Sequence, residues 1–179
     1  MNMRRLRLRA VWLLIVPFLW FSRPTPLLLG VGVGLGLLGL FIRGWAAGTI
    51  HKEKELTTTG PYAFTRNPLY VGSFFLGIGI TLAGGQWIWP ALFLLFYGGV
   101  YGRTMRGEAA LLTELFGDRF RHYAAHVPAF APRLTPYRAP GAAGGGFTLS
   151  QYKRNREWEA GLGALAGFGF LAAKYVLLG

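Results

Sequence analysis

Four apolar stretches divide this chain, Leu27 to Ile50, Leu69 to Ala83, Trp87 to Tyr101 and Leu162 to Leu178, and only Arg43 and Lys174 interrupt them. Each approaches the roughly 20 residues that a helix needs to cross about 30 Å of hydrocarbon. A fifth run, Ala10 to Phe21, follows the basic stretch RRLRLR. Its end, FSRPTP, has no small-residue cleavage site, so it reads as a helix and not as a signal peptide. Pro24 and Pro26 then lead directly into the next run, as in a tight helical hairpin. The expectation is an all-α membrane protein of about five transmembrane helices, with an N-terminal helical hairpin over residues 1–50. Apolar residues make up 53% of the chain and charged ones 15%, well under the quarter typical of soluble domains.

The charges choose the orientation. Met1 to Arg9, Arg43 to Arg66 and Arg103 to Arg156 hold seventeen of the 19 Lys and Arg, leaving Arg23 and Lys174 for the other side. That asymmetry predicts a cytoplasmic N-terminus, a cytoplasmic polar face and an outside C-terminus in a multi-pass protein of a bacterial or archaeal inner membrane. It also accounts for the net charge of +12. No aromatic-basic motif accompanies it, so nucleic acid is not an expected partner. With no Cys, disulfides, thiolate metal sites and cysteine nucleophiles are excluded.

Several motif-like signals have simpler readings. GLGLLG, residues 34–39, matches the glycines of a dinucleotide fingerprint but lies inside an apolar helix instead of a βαβ unit. Gly30, Gly32, Gly34 and Gly36 are expected to let helices approach closely, as are Gly161, Gly163, Gly167 and Gly169 in the last helix. His122 and His126 stand one helical turn apart, but HYAAH offers no third ligand, so no metal site is predicted. Ser22, Ser73 and Ser150 lack a G-x-S-x-G context. Residues 133–157, rich in Pro and Gly and without a period, read as a cytoplasmic linker.

Two blocks stand out. In TTTGPYAFTRNPLYVGSF, residues 57–74, Gly60-Pro61 marks a turn, Asn67 suits a helix cap and Pro68 the first turn that follows. Arg66, Tyr62 and Tyr70 cluster there beyond what a helix start needs. In RGEAALLTELFGDRFRHYAAHVPAFAP, residues 106–132, helical spacing runs from Glu108 to Leu115, Gly117 ends that helix, and Val127-Pro128 stops the next turn.

Over roughly Leu56 to Pro132 these blocks resemble the integral membrane methyltransferases that use S-adenosyl-L-methionine, the isoprenylcysteine carboxyl methyltransferases and phospholipid N-methyltransferases. GPY and RNPLYVG are similar to that family's G-x-Y and R-H/N-P-x-Y-x-G. Glu108 through Leu111 and FGDRFRHYAAHVP are similar to its E-E-x-L and FGxxYxxYxxxVP. Two departures are Asn67, where isoprenylcysteine enzymes typically carry His, and Ala109, where a second Glu is usual. The resemblance implies a methyltransferase core over residues 56–132 in a single integral membrane domain spanning 1–179, with 158–179 as an extra transmembrane helix.

S-adenosylmethionine presents a carboxylate for an Arg, an ammonium for a carboxylate, a sulfonium for aromatic faces and an adenine for an apolar slot. The residues expected to bind it are Tyr62, Arg66, Asn67, Pro68, Tyr70, Gly72, Arg106, Glu108, His126, Val127 and Pro128. Tyr70, Glu108 and His126 are the candidates for chemistry, with His126 or Tyr70 accepting a proton if the acceptor is an amine. The expected acceptor is a lipophilic molecule of the membrane, a phospholipid amine ahead of an isoprenylcysteine-like carboxylate. A nicotinamide-dependent reductase related to the sterol reductases and a non-catalytic membrane interaction protein are the rival readings.

Overall fold

The computed structural model describes residues 14–51, 55–138 and 146–178, and these contain helices and no strands. Residues 14–21 form α1; the first residues of the expected run, 10–13, lie outside the described part. It is followed by α2 (Pro26–Thr49), a short 3-10 helix (Gly60–Ala63), α3 (Pro68–Ala83) and α4 (Ile88–Phe116). Then come α5 (Asp118–His126), α6 (Leu149–Arg154) and α7 (Trp158–Leu178). The described part of each of the five apolar runs is therefore helical. Two helices, α2 and α7, are long and apolar enough to cross a membrane, and α3 is a shorter apolar helix.

The fourth run departs from expectation. Helix α4 continues without a break through Arg103, Arg106 and Glu108 to Phe116, taking in the helix that the sequence suggested from Glu108 to Leu115. Backbone hydrogen bonding is indifferent to side-chain polarity, and only Gly117, at φ 52°, interrupts it. The presumed linker also contains structure. Thr148 caps α6 by accepting from the Gln151 N–H, and α6 seats on the end of α2. There the Thr148 N–H donates to the Gly48 carbonyl, Gln151 Nε2 to Ile50 and Asn155 Nδ2 to Ala47. These bonds satisfy carbonyls that every helix C-terminus leaves without partners.

Helices α2 and α3 pack antiparallel through glycine. A methyl group on Gly39 would lie 2.5 Å from the Gly72 carbonyl oxygen, and one on Gly79 would lie 2.5 Å from that of Gly32. Gly36 receives the Phe168 ring of α7. By contrast, Gly30, Gly34, Gly161, Gly163 and Gly169 face nothing within 4 Å. The stripe of small residues thus works on one face of α2, and the expected glycine packing of α7 is corrected to a single ordinary contact of Gly167 with Ile80.

Polar ties hold α7 at both ends. Near its start, Glu157 takes a two-pronged bond from Arg43 of α2, Nε to Oε1 at 2.5 Å and Nη2 to Oε2 at 3.1 Å, while the same guanidinium donates to Ser73 of α3. Toward its end, Lys174 Nζ donates to the Leu19 and Trp20 carbonyls at 2.7 Å each, capping α1. The outward faces are apolar: Leu37, Phe41, Leu165 and Val176 are 62%, 67%, 72% and 77% exposed, a surface suited to lipid instead of water. The end of α2, the start of α3, the last turns of α4, and α5 and α6 all gather at one end of this bundle.

Candidate active site

The site is built by stitching together two segments some sixty residues apart. Gly60, at φ 57°, opens the 3-10 helix with Pro61 next to it, and the helix buries Tyr62. Downstream, residues 127–137 run alongside it. The Arg66 N–H donates to the Pro128 carbonyl at 2.9 Å, the Arg133 N–H to Phe64 and the Tyr137 N–H to Ala63. Tyr123 Oη donates to the Tyr62 carbonyl at 2.6 Å. Asn67 stands at the N-cap position of α3 with Pro68 next to it, but its side chain does not cap the helix. Instead its Nδ2 donates to the Ala129 carbonyl at 2.8 Å, tying the first block to the second.

Between these walls lies a cavity of about 500 Å³. The first block supplies Tyr62, Arg66, Asn67 and Tyr70, and α4 supplies Arg106 and Glu108 together with apolar Met105, Ala109 and Leu112. Phe120 and Tyr123 of α5 close one side, and Ile50, His51, Glu55 and Thr57, which follow α2, close another. Phe120, Tyr123 and Val127 form a buried cluster behind the wall, backed by Leu56, Leu112, Phe116 and Tyr137.

The polar groups of this cavity are unevenly satisfied. Tyr70 Oη donates to Glu108 Oε1 at 2.5 Å, and Tyr97 of α4 holds the Tyr70 carbonyl at 2.6 Å. Arg106 Nε donates to the Gly102 carbonyl of its own helix. In contrast, the Tyr62 hydroxyl and Arg66 Nε are buried and have no hydrogen-bond partner among the described residues. Burial, reinforced by nearby Tyr123 and Glu108, pushes the Tyr62 hydroxyl far above the ordinary phenol range, so it stays a donor. The Arg66 guanidinium carbon stands 5.9 Å from the centre of the Phe120 ring. A buried donor without a partner costs about 1–3 kcal/mol, so two of them on residues that line the cavity suit a ligand that accepts.

Of the residues expected to bind or react, Tyr62, Arg66, Asn67, Tyr70, Arg106 and Glu108 line this one cavity. The others are placed elsewhere. Pro68 is buried as the first residue of α3, and Gly72 lies against Gly39 and Arg43. Val127 belongs to the buried cluster, and Pro128 contributes its carbonyl. His126 is exposed, with Nδ1 donating to the His122 carbonyl at 2.8 Å and its ring beside those of His122 and Tyr137. Sequence reading passed over His51, Glu55 and Thr57 of the wall; the spacing of His51 and Glu55 directly after an apolar helix was the available signal. Among the described residues no group of three or more His, Asp or Glu could hold a metal ion.

The Phospholipid methyltransferase family matches residues 30–119, half of the chain. The nickel-cobalt-cadmium resistance protein NccN of Alcaligenes xylosoxydans xylosoxydans is 34% identical over 67% of this chain and 55% of its own. The cobalt-zinc-cadmium resistance protein CzcN of Cupriavidus metallidurans is 34% identical over 76% of this chain and 61% of its own. A protein-S-isoprenylcysteine O-methyltransferase of Schizosaccharomyces pombe is 33% identical over 47% of this chain and 36% of its own. The chain thus spans between about a third and three fifths of the length of these relatives. The first two names describe resistance to metal ions and no reaction, whereas the third names a methyl transfer. No solved structure matches the chain. The family match covers the glycine-packed helices and most of the cavity wall, and the chain belongs to the phospholipid methyltransferase family of membrane methyltransferases.

Proposed function

We propose that this protein transfers a methyl group from S-adenosylmethionine to a lipophilic acceptor of the membrane, a phospholipid amine, in the cavity between α3, α4 and α5. The observation that carries the reading is the pairing of partnerless Tyr62 and Arg66 donors with the Glu108 carboxylate in one cavity of about 500 Å³. That set fits the cofactor's ionic ends. Arg66, whose Nε is unpaired, and the Tyr62 hydroxyl suit the carboxylate, and Glu108 suits the ammonium. The apolar stretch of Met105, Ala109 and Leu112 suits the adenine. When bound, the cofactor supplies an electrophilic methyl group on a sulfonium.

The protein's part is to bind, orient and exclude water, because an in-line displacement needs its nucleophile aligned in a dry site. Tyr70, held by its hydroxyl to Glu108 and by its backbone to Tyr97, fixes the carboxylate's position. The acceptor enters sideways from lipid. The orientation that supports this has five spanning helices, the site end of the bundle in the cytoplasm and the C-terminus outside, following the charge asymmetry.

The test uses radiolabelled S-adenosylmethionine and total membrane lipid. Base-stable label in the phospholipid fraction is expected. Label released as methanol by mild alkali would instead identify an ester and put the acceptor with the O-methyltransferase relative. Binding of reduced nicotinamide without binding of S-adenosylmethionine would overturn the methyltransferase reading.

A further inference from the structure

Of the chain's three histidines, two stand exposed on α5 and only His51 lines the cavity. It stands two residues beyond Thr49, the last residue of α2, and its backbone N–H donates to Thr57 Oγ1 at 3.3 Å. Its Nδ1 lies 3.1 Å from Glu55 Oε1, and Glu55 belongs to the same wall. A carboxylate offers only acceptor atoms, so its place beside Nδ1 favours the tautomer with the ring proton there and the lone pair on Nε2. A carboxylate that fixes the tautomer of an imidazole is the arrangement by which a histidine is prepared to take up a proton.

The acceptor proposed above requires such a group. A primary ammonium near pKa 10 carries no lone pair at neutral pH and must lose a proton before it can attack. The other groups facing the cavity do not supply that service. Arg66 and Arg106 are cations, Asn67 cannot take a proton, and Tyr62 and Tyr123 are buried phenols held protonated. Tyr70 keeps its hydroxyl proton and donates it to Glu108, which is also the partner assigned to the cofactor's ammonium. Glu55 lies with its carboxylate against His51 Nδ1.

We propose that His51, oriented by Glu55, is the base that deprotonates the amine acceptor, an inference that rests on the methyl-transfer reading. The ammonium proton passes to His51 Nε2, directly or through one water. The freed nitrogen lone pair forms the N–C bond as the C–S bond breaks, with its electron pair left on sulfur. The imidazolium then returns its proton to water.

The experiment uses the full chain in bilayers containing phosphatidylethanolamine, comparing wild type with His51→Gln, Glu55→Gln and, as a control, His122→Gln. S-adenosylmethionine affinity should stay within about twofold in all four, showing that the cavity is intact. At pH 7 His51→Gln should lower kcat by about a hundredfold with little change in KM, and the deficit should shrink as pH rises toward the amine's own pKa. Added imidazole should restore part of the loss. Independently of turnover, 15N spectra of the imidazoles should show His51 protonated on Nδ1 in wild type and redistributed in Glu55→Gln. Wild-type rates and an unchanged pH profile in His51→Gln, or a wild-type ring protonated on Nε2, would overturn the base while leaving methyl transfer standing. Failure of wild type to bind S-adenosylmethionine would remove both.

Discussion

Tyr62 is a residue whose cost to the ligand-free protein and use to the ligand separate cleanly. Its hydroxyl is buried without a partner, so Tyr62→Phe removes an unsatisfied donor while keeping the ring that Tyr123 and the second block pack around. We expect the variant to be as stable as wild type or more so, by up to about 1–3 kcal/mol, yet to bind S-adenosylmethionine about tenfold more weakly. Arg66→Ala and Glu108→Gln should each weaken binding by about tenfold or more, because the opposite charge is left unpaired. Glu114→Gln, outside the cavity, should not. Calorimetric titration beside thermal unfolding in detergent checks the set, and a Tyr62→Phe variant with wild-type affinity would assign that hydroxyl to some other ligand.

In the helices, the decisive contacts are between backbones. The first block can present Tyr62, Arg66 and Tyr70 only if α3 lies flat on α2, and that approach depends on Gly32, Gly39, Gly72 and Gly79. A methyl group on Gly39 would strike the Gly72 carbonyl at 2.5 Å and the Leu76 nitrogen at 2.7 Å, backbone atoms that cannot rotate away. Gly39→Ala should therefore cost about 1–3 kcal/mol by overpacking, while Gly30→Ala and Gly34→Ala, which meet nothing, should be neutral. Denaturation of each variant in micelles measures this; equal stabilities would mean that α2 and α3 do not pack this closely. From sequence, Gly30, Gly32, Gly34 and Gly36 looked equivalent. Which two are used depends on how α2 is rotated toward α3, and no local property of the chain encodes that rotation.

For the molecule as a whole, the described charges fall at one end of the bundle except Arg23 and Lys174. At the opposite end Lys174 is spent on the α1 carbonyls. Cysteines introduced singly at Thr58, Gly146 and Leu178 of this Cys-free chain should divide accordingly under an impermeant reagent in intact cells: Leu178 labelled, Thr58 and Gly146 protected. The reverse pattern would invert the proposed orientation.

The helical class and the five apolar runs were legible in the residues themselves, because hydrocarbon imposes rules of length and charge that act locally along a chain. The two blocks were legible too, since turn and cap chemistry is local, as Gly60-Pro61, Pro68 and Gly117 show. That six of the expected site residues share one cavity is the work of long-range bonds such as Tyr70 to Glu108 and Asn67 to Ala129. Tertiary structure alone decided the rest. It turned a Pro- and Gly-rich segment into the cap of α2 and diverted Asn67 from a helix cap to the Ala129 carbonyl. It also left His126 outside and brought His51 in. Each of these outcomes depends on hydrogen bonds or packing between residues far apart in the chain, whose partners are chosen only when the helices have met.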